Sequence, residues 1–71
     1  MTATAQLSLT INGRQQPWAP GFTVGEALGA LRDAPGVVVE VNGAILPAEG
    51  LAQAPLAAGD VVEIVHFVGG G

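Results

Sequence analysis

Polar and apolar residues alternate along Gln6-Leu7-Ser8-Leu9-Thr10-Ile11, which predicts a strand with Leu7, Leu9 and Ile11 on one face. Asn12-Gly13 follows, and both central positions of a type I′ turn require positive φ, so this dipeptide predicts a hairpin. Its second strand should run from Arg14 to about Trp18 and end before Pro20-Gly21. The period then changes. Val24, Leu28 and Leu31 recur at helical spacing behind Thr23-Val24-Gly25-Glu26, a capping-box sequence in which Thr23 and Glu26 would each satisfy the other's backbone N–H. Pro35-Gly36 stops the run, and Gly25 and Gly29 weaken it, so this short helix should depend on packing against the hairpin.

Val37 to Val41 is β-branched apart from Glu40, and Asn42-Gly43 predicts a second hairpin with a very short return strand through Ala44-Ile45-Leu46. Residues 48–58 have no clear period and read as a loop with one helical turn near Glu49 to Ala52. Gly59-Asp60 turns the chain into a last strand from Val61 to about Phe67. Two hairpins around one helix, with a final strand returning to the sheet, predict an α+β domain. The topology expected is the ubiquitin-like β-grasp: a mixed sheet of four to five strands with one main helix on one face, and the first and last strands parallel at its centre. The domain should span residues 6–67, with 1–5 a disordered extension and 68–71 a flexible glycine tail.

Composition narrows the function more than the fold. A chain of 71 residues forms one domain with a modest core, since domains of roughly this size bury only about 60% of their unfolded surface. With no cysteine it has neither a disulfide nor a thiolate zinc staple to help. Its hydrophobic fraction of 49% argues against intrinsic disorder. No apolar run approaches membrane-spanning length, and the first residues carry neither a basic nor an apolar signal region, so a cytoplasmic protein is the default expectation. Acids outnumber bases and lysine is absent, leaving only Arg14 and Arg32 as cations. Two scattered arginines cannot build the basic face that nucleic acid requires.

An enzyme is not expected from a chain with one histidine and no cysteine, lysine or tyrosine. Ser8, His66 and Asp60 could be imagined as a hydrolytic set, yet there is no nucleophile elbow and little chain to form a pocket. His66, Glu63 and Asp60 fall short of a usual metal-ligand set. A half-buried strand position is the simpler expectation for His66. The C-terminal segment is more informative, because a well-patterned strand runs directly into Val68-Gly69-Gly70-Gly71. Glycines can thread a narrow channel with φ values closed to other residues. Terminal glycines alone could be no more than a frayed end. Behind a β-grasp pattern, they point to a carrier whose terminal carboxylate is activated by ATP.

Three segments carry a specific resemblance: Val41-Asn42-Gly43 with Pro47 beyond it, Gly59-Asp60-Val61-Val62-Glu63-Ile64-Val65, and His66-Phe67-Val68-Gly69-Gly70-Gly71. They are similar to the ThiS family of thiamine-biosynthesis sulfur carriers, and the resemblance extends from about Leu7 to Gly71. Ala48 stands where that family often has a basic residue. The resemblance implies that Gly71 is the sulfur attachment point, with Gly69 and Gly70 threading into partner active sites. It implies an E1-like adenylating enzyme of the ThiF type using Mg-ATP, a sulfide or persulfide donor, and a thiazole synthase of the ThiG type as acceptor. The chain itself would bind no cofactor. If Val62 and Ile64 face the core, alternation places Glu63, Val65 and Phe67 outward as a partner-binding face, whereas a one-residue slip would put Phe67 in the core. Competing expectations are the small subunit of molybdopterin synthase, another β-grasp sulfur carrier, and a noncovalent interaction module for which the glycine tail is dispensable.

Overall fold

The computed structural model describes residues 6–68; the expectations for residues 1–5 and for Gly69, Gly70 and Gly71 lie outside that range. Five strands form one sheet: β1 (Ser8–Ile11), β2 (Arg14–Pro17), β3 (Val37–Val41), β4 (Ala44–Ile45) and β5 (Val61–His66), in the order β2-β1-β5-β3-β4. β1 and β5 pair in parallel at the centre, and β5 runs antiparallel to β3. The mixed β-grasp sheet expected from the pattern is therefore formed.

Both hairpins turn as their dipeptides dictate. Asn12 and Gly13 have φ of 49° and 80°, and Asn42 and Gly43 have φ of 52° and 88°, the doubly positive geometry of a type I′ turn. The second strand ends one residue earlier than expected, at Pro17. Trp18 still donates its backbone N–H to the Leu7 carbonyl, while its indole N–H reaches the Leu56 carbonyl at 2.7 Å.

The helix is shorter than its apolar spacing suggests. α1 covers only Val24–Leu28, and the chain tightens into a 3-10 turn over Gly29–Leu31. Gly29 takes φ of 56°, which breaks the α-helical path while still directing Leu31 toward the core. Half of the expected capping box forms among the described residues: Thr23 Oγ1 accepts the Glu26 N–H at 3.4 Å. The second 3-10 turn covers Leu51–Gln53, slightly after the position expected for it.

Leu9, Ile11, Val24, Leu28, Val39, Leu56 and Val62 form the buried core between the sheet and the helical segments. Leu7, grouped with Leu9 and Ile11 by alternation, instead lies before β1 and is 56% exposed. Leu56 is the converse case, a core residue inside a segment with no readable period. It is held there by two backbone bonds flanking a bridge between Thr23 and Pro55: Leu56 N–H to the Phe22 carbonyl and Val24 N–H to the Ala54 carbonyl, both 2.9 Å.

Candidate functional site

The strand that leads to the terminal glycines is the most supported element of the sheet, and the reason lies in the two hairpin turns. Along β5, even-numbered residues direct their backbone groups toward β1, since the Val62 carbonyl accepts the Asn12 N–H at 2.9 Å. Odd-numbered residues direct theirs toward β3, where the Val61 carbonyl accepts from Asn42 and the Phe67 N–H donates to the Gly36 carbonyl. β1 ends at Ile11, however, while β5 continues to His66. The Asn12 side chain supplies the missing partner: its Oδ1 accepts the Ile64 N–H at 2.7 Å and its Nδ2 donates to the Ile64 carbonyl at 3.3 Å. Asn42 does the same work at the start of β5, with Oδ1 accepting the Val61 N–H at 2.9 Å and Nδ2 donating to Asp60 Oδ1 at 3.0 Å. Asp60 completes the corner by accepting the Ala57 N–H at 2.7 Å through Oδ2.

Sequence reading treats Asn12 and Asn42 as turn formers and misses their second role. The only signal available was the identity of the residue: glycine would satisfy the same φ, whereas asparagine also offers an amide that can pair with a backbone edge.

From Val61 to Val65 the side chains of β5 alternate between the two faces. Val62 is fully buried and Ile64 partly so, whereas Val61, Glu63, Val65 and, beyond the strand, Phe67 and Val68 are exposed. Phe67 is 63% exposed, which excludes the alternative register that would bury it. In the β3–β5 register Val65 lies opposite Val38, and Glu63 lies opposite Glu40. This face, turned away from the helix, therefore combines apolar side chains with two carboxylates. Neither arginine shares it. Arg14 pairs with core-facing Ile11 on the edge strand, and the Arg32 guanidinium lies beside Gly25 on the helical side.

Other arrangements suggested by the residue types do not assemble. His66, the last residue of β5, is exposed, not half-buried, although it shares the parity of Val62 and Ile64. Ser8 and His66 do lie on neighbouring strands, but those strands are parallel: Ser8 meets the start of β5 through its carbonyl and the Gly59 N–H, while His66 ends that strand. At about 3.3 Å per residue the separation along the sheet is roughly 20 Å, too far for a hydrogen bond between them. No group of three potential metal ligands occurs among the described residues. No helix among them is long and apolar enough to cross a membrane.

A groove of about 410 Å³ lies between the helix and the second 3-10 turn, bordered by Arg32, Pro35, Gly36 and Gln53. It contains no cluster of reactive side chains. What β5 and its neighbours offer among the described residues is an exposed face that combines Val65 and Phe67 with Glu63 and Glu40.

Comparison with known proteins agrees with that geometry. Residues 9–71 match the model of the ThiS family. A crystal structure of the thiamine biosynthesis protein ThiS from Geobacter metallireducens superposes with a TM-score of 0.66, at 36% identity, over 92% of this chain and 100% of that one. A solution structure of a thiamine biosynthesis protein from the same organism gives a TM-score of 0.65 at 38% identity, over 92% of this chain and 88% of that one. Among curated proteins, a thiazole synthase of Paramagnetospirillum magneticum is 41% identical over 66 residues, which is 92% of this chain but only 20% of that protein. The chain thus spans about a fifth of the length of the curated relative it matches.

Proposed function

The chain belongs to the ThiS family, and on that premise we propose that it is a sulfur carrier for thiazole formation in thiamine biosynthesis, acting through the carboxylate of Gly71. It is a co-substrate of partner enzymes and not a catalyst itself. An adenylating enzyme of the ThiF type joins the Gly71 carboxylate to AMP, using Mg-ATP and releasing pyrophosphate. The mixed anhydride has a good leaving group, which the free carboxylate lacks. Sulfide then attacks the glycyl carbonyl carbon; a C–S bond forms, the C–O bond to AMP breaks, and AMP leaves with its electron pair. The product is a thiocarboxylate at unchanged oxidation level. If the donor is a persulfide, a thiol must afterwards reduce the resulting acyl disulfide.

The observation that carries this reading is the continuity from a central, doubly braced strand to the glycine end, within a family match that extends through residue 71. The thiazole synthase relative supports the acceptor, because a protein of that name contains a segment like this chain as a fifth of its length. A thiazole synthase of the ThiG type is therefore the partner to which sulfur would pass.

The β5 face is the contact surface in this reading. Val65 and Phe67 provide apolar area beside the tail, and Glu63 with Glu40 favours a partner with a basic rim. Such a face could bind without forming any covalent bond, so the decisive test is chemical. Incubation with the adenylating enzyme, Mg-ATP and sulfide should replace one oxygen by sulfur at Gly71, read by intact mass and fragment mapping. Deletion of Gly70 and Gly71 should abolish the replacement. An unmodified full-length chain in the presence of a demonstrably active enzyme would leave only the noncovalent module. Val65→Asp should lower adenylation at least tenfold with the unfolding midpoint unchanged, and wild-type adenylation of that variant would remove the contact role.

A further inference from the structure

Among the described residues, Phe67 is the last with a backbone hydrogen bond to the sheet. Its N–H donates to the Gly36 carbonyl at 2.9 Å, which extends the β3–β5 ladder one pair past the end of each strand. The approach is unusually close on the other side of the same residue. A Cβ placed on Gly36 would lie 2.5 Å from the Phe67 carbonyl oxygen and 3.5 Å from its carbonyl carbon. Gly36 also has φ of 75°, a region that most residues with a side chain enter only at a cost.

These two constraints coincide nowhere else among the described glycines. Gly13, Gly21, Gly29, Gly43, Gly50 and Gly59 have positive φ but open space where a Cβ would stand, and Gly25 is crowded without positive φ. What Gly36 crowds is not the core. It is the backbone of the residue from which the chain leaves the sheet, with only Val68 between it and the terminal glycines.

We propose that Gly36 is a positioning residue for the carrier reaction: lacking a side chain, it lets the Phe67 peptide seat against β3 and so sets the point and heading from which the glycine tail departs. The inference rests on the reading that Gly71 is the atom-transfer end. Any L-residue at position 36 must push the Phe67 carbonyl back by about half an ångström or more to reach even the shortest contacts that real Cβ atoms make. Loss of the seat frees the chain from Phe67 onward. The point from which the Gly71 carboxylate must be brought to the α-phosphate of ATP is then no longer held in one place. Such misplacement at a distance can cost up to about a hundredfold in rate.

The test uses the full chain prepared by chemical synthesis, with the adenylating enzyme, Mg-ATP and sulfide. Gly36→Asn keeps a residue that tolerates positive φ but adds the Cβ. Gly36→D-Ala favours positive φ and directs its methyl group away from the Phe67 carbonyl. An amide-to-ester replacement at Phe67 removes the N–H bond to Gly36 without touching position 36, and serves if the asparagine variant fails to fold. Single-turnover pyrophosphate release at saturating enzyme is the readout, alongside the dissociation constant for that enzyme. Gly36→Asn and the ester should bind as the wild type does but release pyrophosphate at least tenfold more slowly, with Gly36→D-Ala restored to the wild-type rate. A purely structural glycine would shift the unfolding midpoint and leave this rate alone. Wild-type turnover by both the asparagine variant and the ester overturns the positioning role, and so does a D-alanine variant as slow as the asparagine one. If the wild-type chain itself acquires no sulfur, the carrier reading falls first and takes this inference with it.

Discussion

Replacing Asn12 by glycine separates the two functions that the structure assigns to this residue. Glycine reaches the φ of 49° without strain, so the type I′ turn survives. What disappears is the pair of side-chain bonds to Ile64, at 2.7 and 3.3 Å. An ordinary hydrogen bond contributes roughly 0.5–1.5 kcal/mol net, and here one of the two is long and water can reach the exposed Asn12 side chain. The loss should therefore be about 1–2 kcal/mol, which for a domain this small is a fall of about 5–15 °C in Tm. Urea unfolding followed by Trp18 fluorescence gives the midpoint, since the indole is partly buried and bonded to the Leu56 carbonyl in the folded state. Amide exchange locates the change. Greater freedom of the unfolded glycine chain lowers equally the protection of those amides that exchange through global unfolding, whereas the Ile64 amide should lose protection beyond that common shift. A midpoint within about 0.3 kcal/mol of wild type, with Ile64 protected as before, would refute the bracing of β5 by Asn12.

Three other outcomes follow from the packing and charge of the sheet. Gly25→Ala would normally strengthen a helix, but its Cβ would lie 2.8 Å from the Ala52 carbonyl oxygen, so the variant should be destabilised by about 1–3 kcal/mol in urea. Val39→Ala empties a fully buried position at the centre of the core and should cost about 2–3 kcal/mol by the same assay, a large share of the stability of so small a domain. Glu63→Gln removes the like charge opposite Glu40 and should stabilise the free domain by about 0.2–1 kcal/mol, with the gain shrinking as salt rises. The same substitution should weaken adenylating-enzyme binding if a basic rim meets this face, measured by titration calorimetry.

Local rules decided much of this protein from the residues alone. The two Asn-Gly turns required positive φ at successive positions, and alternation along residues 61–67 narrowed the last strand to two choices of face, of which the burial of Val62 in the structure selected the one with Val65 and Phe67 outward. The glycine end was legible as composition. Tertiary structure decided what depends on where strands stop relative to one another. Leu56 enters the core through a bridge to the Phe22-Thr23 segment, contacts that no periodicity within residues 48–58 encodes. His66 has core-side parity but ends its strand and is left exposed. Ser8 and His66 occupy adjacent strands yet opposite ends, since the parallel pairing of β1 with β5 sets the offset. Asn12 gains its bonds to Ile64 only because β1 is shorter than the strand beside it. Gly36, read locally as a helix stop, takes its tight contact from Phe67, a residue 31 positions later in the chain. Such long-range juxtapositions arise from the packing of whole elements, and the residues that meet in them carry no mark of it in their own neighbourhoods.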